Sequence, residues 1–420
     1  MPGTWVFPGG AVDDTDASSL VALRREVVEE IGVSLPDDDD LFVPVGLFVT
    51  PEFSPRRFAA QFYLAQAPDD ASPDHMASDG ELDAGEWITA ADALARYRAA
   101  EWLISAPVRR VLECLADGLA DAPERCERAA KAENVAPRIW DLAPGIASTP
   151  LRTLTLPPAQ FTNCYFIGCG EMIIIDPGSP DSMENGVVDE AVTELARHGR
   201  RVREIWLTHH HLDHVGGAAS LAKRLGVPIA AHSNTAELVK EHIHIDRLLN
   251  DGDVVELPGE PARRLRVVFT PGHAVGHLCF VEETTGFAIV GDMVAGVGTI
   301  LIDPDEGDMA EYLESLRLLK RIAPKVMLPA HGSAITSVQA KLDFYLKHRL
   351  WREQQVINAL ETTGGGTSRE LVPHAYEDVS PAVHGLAERS LRAHLAKLLA
   401  DQRVVVDSNR WQLTNDPKLI

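Results

Sequence analysis

The sequence predicts an α/β protein in three parts, and three observations predict it. Over about Leu151 to Ser337, short runs rich in β-branched residues alternate with runs of helical periodicity, the pattern of helices layered on sheets. Histidines and aspartates stand just past the ends of several of those short runs, where strands would deliver them to one edge. On either side the composition changes: an acidic stretch with a Gly-rich start runs to about Ala122, and a helical stretch broken by Gly364-Gly365-Gly366 closes the chain.

In chain order, a helix is expected over Leu20 to Ile31, an acidic loop at Asp37 to Asp40, a strand over Phe58 to Leu64 and helices ending near Ala120. A polar, helix-favouring connector from Pro123 to Ala136 opens a linker assigned to 123–150. In the central region, assigned to 151–345, Met172 to Ile175, Glu204 to Leu207, Val227 to Ala230, Arg266 to Phe269, Phe287 to Val290 and Val326 to Leu328 read as strands. Gly186 to Arg197, Ala218 to Leu225 and Met309 to Ile322 read as helices. The last region, 346–420, carries a helix through His348 and Gln355, the glycine hinge, two short helices and a hairpin over Arg403 to Leu413.

The formal charge of −23 over 420 residues excludes a surface that attracts nucleic acid as a whole, because phosphate contacts need clustered Lys and Arg. Acidic residues concentrate at the start: residues 1–100 hold six Lys and Arg against nineteen Asp and Glu, whereas 345–420 hold ten against nine. Only the C-terminal end is balanced enough to present a positive face. Five cysteines without a CxxC pair suit reduced thiols, and no apolar run is long enough to span a bilayer. With no secretory start, the expectation is a cytoplasmic protein without membrane contact; the sequence says nothing of its oligomeric state.

The most informative segment is Thr208-His209-His210-His211-Leu212-Asp213-His214, which reads H-x-H-x-D-H in one frame only. It lies between an expected strand and helix, in a loop where several side chains can converge. Asp176, His273, Asp292 and His331 follow other expected strands. Neutral imidazole and carboxylate are donors that suit zinc, and iron and manganese accept the same set. Asp292 is the residue type that bridges two cations, since a carboxylate has two oxygens. His210, His232, His242 and His244 receive no role.

The order of these residues resembles the metallo-β-lactamase superfamily over about Leu151 to Ser337, which implies a central αββα sandwich. The resemblance implies that His209, His211 and His273 hold one zinc and Asp213, His214 and His331 a second, with Asp292 between them. Asp176 and His277 would orient the ligands, and Asp213, Asp176 and His277 are expected to serve the reaction. Two such cations lower the pKa of a shared water towards neutrality and so supply the hydroxide for hydrolysis.

Thr162-Asn163-Cys164-Tyr165, Gly291-Asp292, His348-Arg349 and Arg352-Glu353-Gln354-Gln355, with the terminal helices and hairpin, resemble the β-lactamase-like protein 2 group. That group joins the catalytic domain to a C-terminal winged-helix domain, and its animal member cuts single-stranded RNA. The resemblance implies an endoribonuclease-like phosphodiesterase; related metallo-hydrolases cleave acyl-CoA, glutathione or carrier-bound thioesters. Leu391, Leu395, Leu398 and Leu399 recur at helical spacing as a core face, leaving Arg389, Arg392 and Lys397 on other faces where they could touch phosphates; the domain as a whole would either read nucleic acid or pack so as to shape the active-site mouth.

At the N-terminus, Phe7-Pro8-Gly9-Gly10 and Arg25-Glu26-Val27-Val28-Glu29-Glu30-Ile31-Gly32-Val33 resemble the Nudix box, with further likeness over Pro51 to Leu64 and Glu81 to Ala95. Glu26, Glu29 and Glu30 share a helix face and would hold Mg²⁺. Asp16 stands where that family has an upstream glutamate, and the strands that usually precede the box are absent, so a truncated Nudix-like α/β domain over 1–122 is expected. Three readings follow: a dinuclear zinc hydrolase acting on single-stranded RNA, the same centre acting on a small-molecule thioester, and a Nudix-type diphosphatase with an auxiliary zinc domain.

Overall fold

A computed structural model describes residues 4–50, 57–72, 74, 82, 84–134 and 138–414. Pro51 and Glu81, which open two of the stretches of Nudix likeness, lie outside the described residues. The chain divides into two compact units, one ending at Ala147 and the other starting at Ser148.

In the first unit, the helix Ser19–Ile31 starts where the Ser18 side chain accepts from the Val21 N–H and stops at Gly32, which adopts φ 69°. Strands Val43–Val49 and Ala59–Leu64 form an antiparallel pair, and Thr4–Trp5 pairs in parallel with Leu103–Ile104. Within the stretch expected to form a linker, residues 123–133 lie in a helix and 140–143 and 146–150 in strands. Helix Ala122–Glu133 buries Ala122, Cys126 and Ala130, and the last two share a core with Val45, Phe48 and Val111. Its polar composition concealed small residues at every fourth position, which let the helix approach a strand closely. A Cβ on Gly46 would stand 3.0 Å from the Ala130 Cβ.

The second unit carries two sheets. Among its strands, the first runs in the order Arg247–Leu248, Ile229–Ala231, Arg201–Trp206, Glu171–Ile175, Phe161–Ile167 and Ile146–Arg152. The second runs Val254–Leu257, Arg263–Phe269, Leu278–Glu282, Phe287–Gly291 and Val326–Pro329. Trp206 of one sheet meets Phe280 of the other with ring centroids 5.0 Å apart, so their inner faces form one apolar layer. Helices Ser182–Arg197 and Ala218–Leu225 lie against the first sheet. Met309–Ile322 covers the second, burying Tyr312, Leu313, Leu316 and Leu319 against Val281 and Val290. This is the expected αββα arrangement.

Helix Val338–Thr363 crosses the boundary expected at 345 and 346 without interruption. Its first half buries Leu342 and Tyr345 in the core of the second sheet, and its second half buries Val356 and Leu360 with the C-terminal helices. Gly364, at φ 69°, ends it. Helix Ser368–Ala375 opens on a capping box between Thr367 and Glu370, and His384–Ala400 leads to the hairpin Val404–Asp407 and Arg410–Leu413. Leu391, Leu395 and Leu398 are buried as expected, but Leu399 is 40% exposed, since its place on the helix faces away from this core.

Candidate metal centre

Parallel pairing brings the donors to one edge. Ile175 and Trp206 are register partners in neighbouring parallel strands, so Asp176 and the loop from Thr208 emerge side by side. Phe287–Gly291 and Val326–Pro329 are likewise parallel, and they end next to Asp292 and His331. His273 follows the end of Arg263–Phe269. The loop Thr208 to Gly217 turns through a single helical turn, Leu212–Val215, which sets Asp213 and His214 inward.

Close backbone packing holds that turn. A Cβ on Gly178 would lie 1.7 Å from the Asp213 carbonyl oxygen, so only glycine lets the Asp176 loop pass beneath it. Gly178→Ala is therefore expected to push the Asp213-His214 backbone aside, costing about 2 kcal/mol or more in stability. Thermal unfolding and metal content measured together check this.

Two groups of donors result at the strand ends, with His210, His211 and Glu306 forming a third set beside them. His209 Nε2 and His273 Nε2 each lie 3.0 Å from His211 Nδ1, with Asp292 Oδ2 3.5 Å from His273 Nε2. In the second group, Asp213 Oδ2 is 3.8 Å from His214 Nε2 and 3.5 Å from His331 Nε2. Asp292 Oδ1 faces this group, 3.6 Å from His214 Nε2 and 3.3 Å from His331 Nε2. The carboxylate of Asp292 thus turns one oxygen to each cluster.

The outer hydrogen bonds decide what the imidazoles present inward. His214 Nδ1 donates to Asp176 Oδ2 at 2.8 Å, His273 Nδ1 to the Leu301 carbonyl at 2.9 Å and His331 Nδ1 to the Phe161 carbonyl at 3.0 Å. His211 Nε2 donates to Glu306 Oε2 at 3.1 Å. The Thr208 hydroxyl gives its proton to Asp176, leaving its oxygen to accept from His209 Nδ1 at 2.9 Å. All five rings therefore spend their N–H outward and aim a lone pair at the centre, the tautomer a cation requires. The buried His214 Nε2 and Asp292 Oδ1 have no hydrogen-bond partner among the described residues. Such atoms are costly unless something else satisfies them, and a divalent metal fits both.

Electrostatics agree with neutral imidazole ligands in the first group. Burial, reinforced by the neighbouring histidines, pushes His209 well below the ordinary value, and burial takes His273 down to about 4. At His214 and His331 burial acts in the same direction, but the facing carboxylates outweigh it and raise both. Burial would raise Asp292, yet His331 and His214 hold it well below the usual carboxylate range.

Asp176 and His277 lie behind the ligands. Asp176, 2% exposed, accepts from the Thr208 N–H at 2.8 Å as well as from His214. His277 accepts the Asp292 N–H on Nε2 at 3.1 Å, and its Nδ1 donates to Thr270 Oγ1 at 2.9 Å. Neither lines the cleft of about 270 Å³ that opens over the donors. Sequence reasoning gave no role to Glu306, Thr208 or Thr270, although Thr208 opens the histidine segment.

The N-terminal carboxylates are engaged with neighbouring protein groups. Arg25 Nη1 donates to both Glu26 and Glu29 at 3.0 Å, and Glu30 accepts the Gly9 N–H at 2.9 Å. Among the described residues, every His, Cys, Asp and Glu group close enough to hold an ion lies in the second unit. The cations expected to be available for phosphates are paired as well. Arg389 bonds Asp303, Arg392 holds Asp305 at 2.8 and 3.3 Å, and Lys397 reaches Glu353 at 2.9 Å and Asp401 at 2.6 Å.

A layered αββα unit with histidine and aspartate donors gathered at its sheet edge defines a metal-dependent hydrolase. Family comparison makes the class specific. The sequence model described as Metallo-beta-lactamase superfamily matches residues 157–331, Beta-lactamase associated winged helix domain 367–411 and NUDIX domain 1–107. The chain belongs to the metallo-beta-lactamase superfamily.

It is 30% identical over 277 residues to Lactamase-like protein adaB of Aspergillus niger, covering 61% of this chain and 82% of that one. It is 30% identical over 249 residues to the Beta-lactamase-like protein 2 homolog of Caenorhabditis elegans (58% and 80% covered). With the Atrochrysone carboxyl ACP thioesterase of Aspergillus chevalieri it shares 31% over 257 residues (59% and 79%). Among solved structures, a beta-lactamase domain protein from Burkholderia ambifaria superposes with a TM-score of 0.57 at 21% identity, covering 68% of this chain and 96% of that chain. Its likeness concerns the fold.

Proposed function

We propose that the chain is a dinuclear zinc hydrolase that cleaves thioesters of acyl groups carried on coenzyme A, glutathione or a carrier protein. The observation that carries this reading is the wall of the cleft. Beside the ligands His211, Asp213, His273, Asp292 and His331, the residues Leu154, Leu156, Pro157, Pro158, Ile300 and Leu301 form an apolar stretch of wall suited to an acyl chain, next to the polar Thr155, Thr299, Asp303 and Glu306. Arg389 is its one Lys or Arg among the described lining residues, and it is bound to Asp303. A polynucleotide would call for several cations along its phosphates. The named activity of the Aspergillus chevalieri relative favours the same substrate class.

When bound, the ions supply Lewis acidity towards the carbonyl and lower the pKa of water. His209, His211 and His273 would hold one, and Asp213, His214 and His331 the other, with Asp292 shared. Asp176 and His277 are positioning residues, the first for His214 and Thr208 and the second for the Asp292 backbone. The apolar wall seats the acyl chain and keeps bulk water from it.

The test uses purified protein with its metal quantified, a panel of acyl thioesters, labelled single-stranded RNA and coenzyme A. Thioester cleavage that disappears in Asp213→Ala and persists in Glu29→Gln is the expected result. RNA cleavage dependent on Asp213, without thioester cleavage, would overturn the thioester reading in favour of a nuclease. Diphosphate cleavage abolished by Glu29→Gln alone would transfer the chemistry to the N-terminal unit.

A further inference from the structure

The C-terminal helix His384–Ala400 reaches the metal centre through a chain of polar contacts. Arg389 bonds Asp303, whose side chain is 9% exposed, and Arg389 itself lines the metal cleft. Asp303 organises the loop that follows: its Oδ1 accepts the Asp305 N–H at 3.0 Å, and its carbonyl accepts the N–H groups of Glu306 at 3.2 Å and Gly307 at 2.7 Å. Glu306 in turn receives the Nε2 proton of His211. The same segment fixes His273, because Leu301 accepts its Nδ1 proton and Asp308 donates to the Gly272 carbonyl at 2.8 Å. A Cβ on Gly307 would stand 2.3 Å from the Gly272 carbonyl, so this loop lies flush against the backbone that presents His273.

We propose that Arg389 is a positioning residue for the ion held by His209, His211 and His273: it sets the loop from Asp303 to Asp308 and thereby keeps Glu306 on His211. The C-terminal helix is then a working part of the metal centre. This rests on the metal-centre reading above and is independent of the substrate. The physical cause is the burial of Asp303. Without Arg389 the largely buried carboxylate at the cleft edge keeps the Asp305 N–H as its hydrogen bond and turns towards water, loosening the loop that its Oδ1 shapes. Glu306 then leaves His211, which loses the partner that fixes its tautomer and raises its basicity as a ligand. Arg392 provides the contrast. It holds Asp305 one turn further along the same helix, but its partner's side chain is 67% exposed, so the pair contributes little.

The experiment loads the full chain with cobalt and follows the loss of each ion spectroscopically against a competing chelator. For R389A and for Glu306→Ala, one of the two ions is expected to be lost about 10-fold or more readily, the range seen when the outer partner of a metal-bound histidine is removed. The other ion should stay at its native affinity. Arg389→Lys should restore most of the loss, and R392A should remain within about threefold of the native protein. If Arg389 acts through Glu306, the double variant loses the ion no faster than either single one, because the second change has nothing left to disturb.

A folded R389A that retains both ions as tightly as the native chain would overturn the proposal, and so would losses that multiply in the double variant. Should R389A fail to fold, Arg389→Gln and Asp303→Asn carry the same comparison. A native protein that binds no cobalt would instead sink the metal-centre reading itself, so the two failures are separable.

Discussion

Replacing Asp292 with asparagine is expected to leave the protein folded and nearly inactive, with kcat/KM reduced by three orders of magnitude or more, about 4 kcal/mol of transition-state stabilisation. The fold should survive because Oδ1 has no hydrogen-bond partner among the described residues and the backbone N–H is held independently by His277. The chemistry should not. Each oxygen of Asp292 faces a different donor group, and an amide keeps only one acceptor while offering N–H where the other group needs a lone pair. It also removes a full negative charge from between the two donor groups proposed to hold divalent cations. Metal content should fall from two ions towards one. Native metal content and native turnover in Asp292→Asn would refute the shared role of this carboxylate.

Local signals made most of this architecture legible. Helices Ala218–Leu225 and Met309–Ile322 have the bounds that hydrophobic periodicity predicts, and the short β-branched runs became strands of the two sheets. The donors were legible because parallel strands end together, so residues far apart in sequence reach one edge by the same rule. What escaped depends on partners distant in the chain. Helix Ala122–Glu133 has a polar sequence, and its packing face is only the small side chains of Ala122, Cys126 and Ala130, whose value depends on the strand they meet. Arg389 and Arg392 looked available for phosphate because their partners Asp303 and Asp305 lie 86 and 87 residues away, whereas Lys397 pairs with Asp401 four residues on as well as with Glu353. Glu306 sits in an irregular loop where no periodicity singles out one carboxylate from its acidic neighbours.

The two substitutions of Asp176 should separate folding from metal binding. Asp176→Ala strips the partner from the Thr208 N–H, the Thr208 hydroxyl and His214 Nδ1 in a region that water does not reach. Each stranded group costs about 1–3 kcal/mol, partly relieved by relaxation, so a loss on the order of 4 kcal/mol is expected. The backbone adds to it: Asp176 adopts φ 54°, a left-handed conformation that aspartate tolerates better than alanine. Asp176→Asn keeps the shape and one carbonyl oxygen. If that oxygen receives the Thr208 N–H, an NH₂ group faces His214 Nδ1, and two donors cannot meet. The imidazole then moves its proton to Nε2, and the lone pair that pointed into the centre is gone. Denaturant unfolding in the presence of a chelator should therefore place the asparagine variant within about 1–2 kcal/mol of the native protein and the alanine variant well below it. Metal titration should show that both have lost the ion of Asp213, His214 and His331. An asparagine variant that binds that ion with native affinity would mean that Asp176 serves the fold alone.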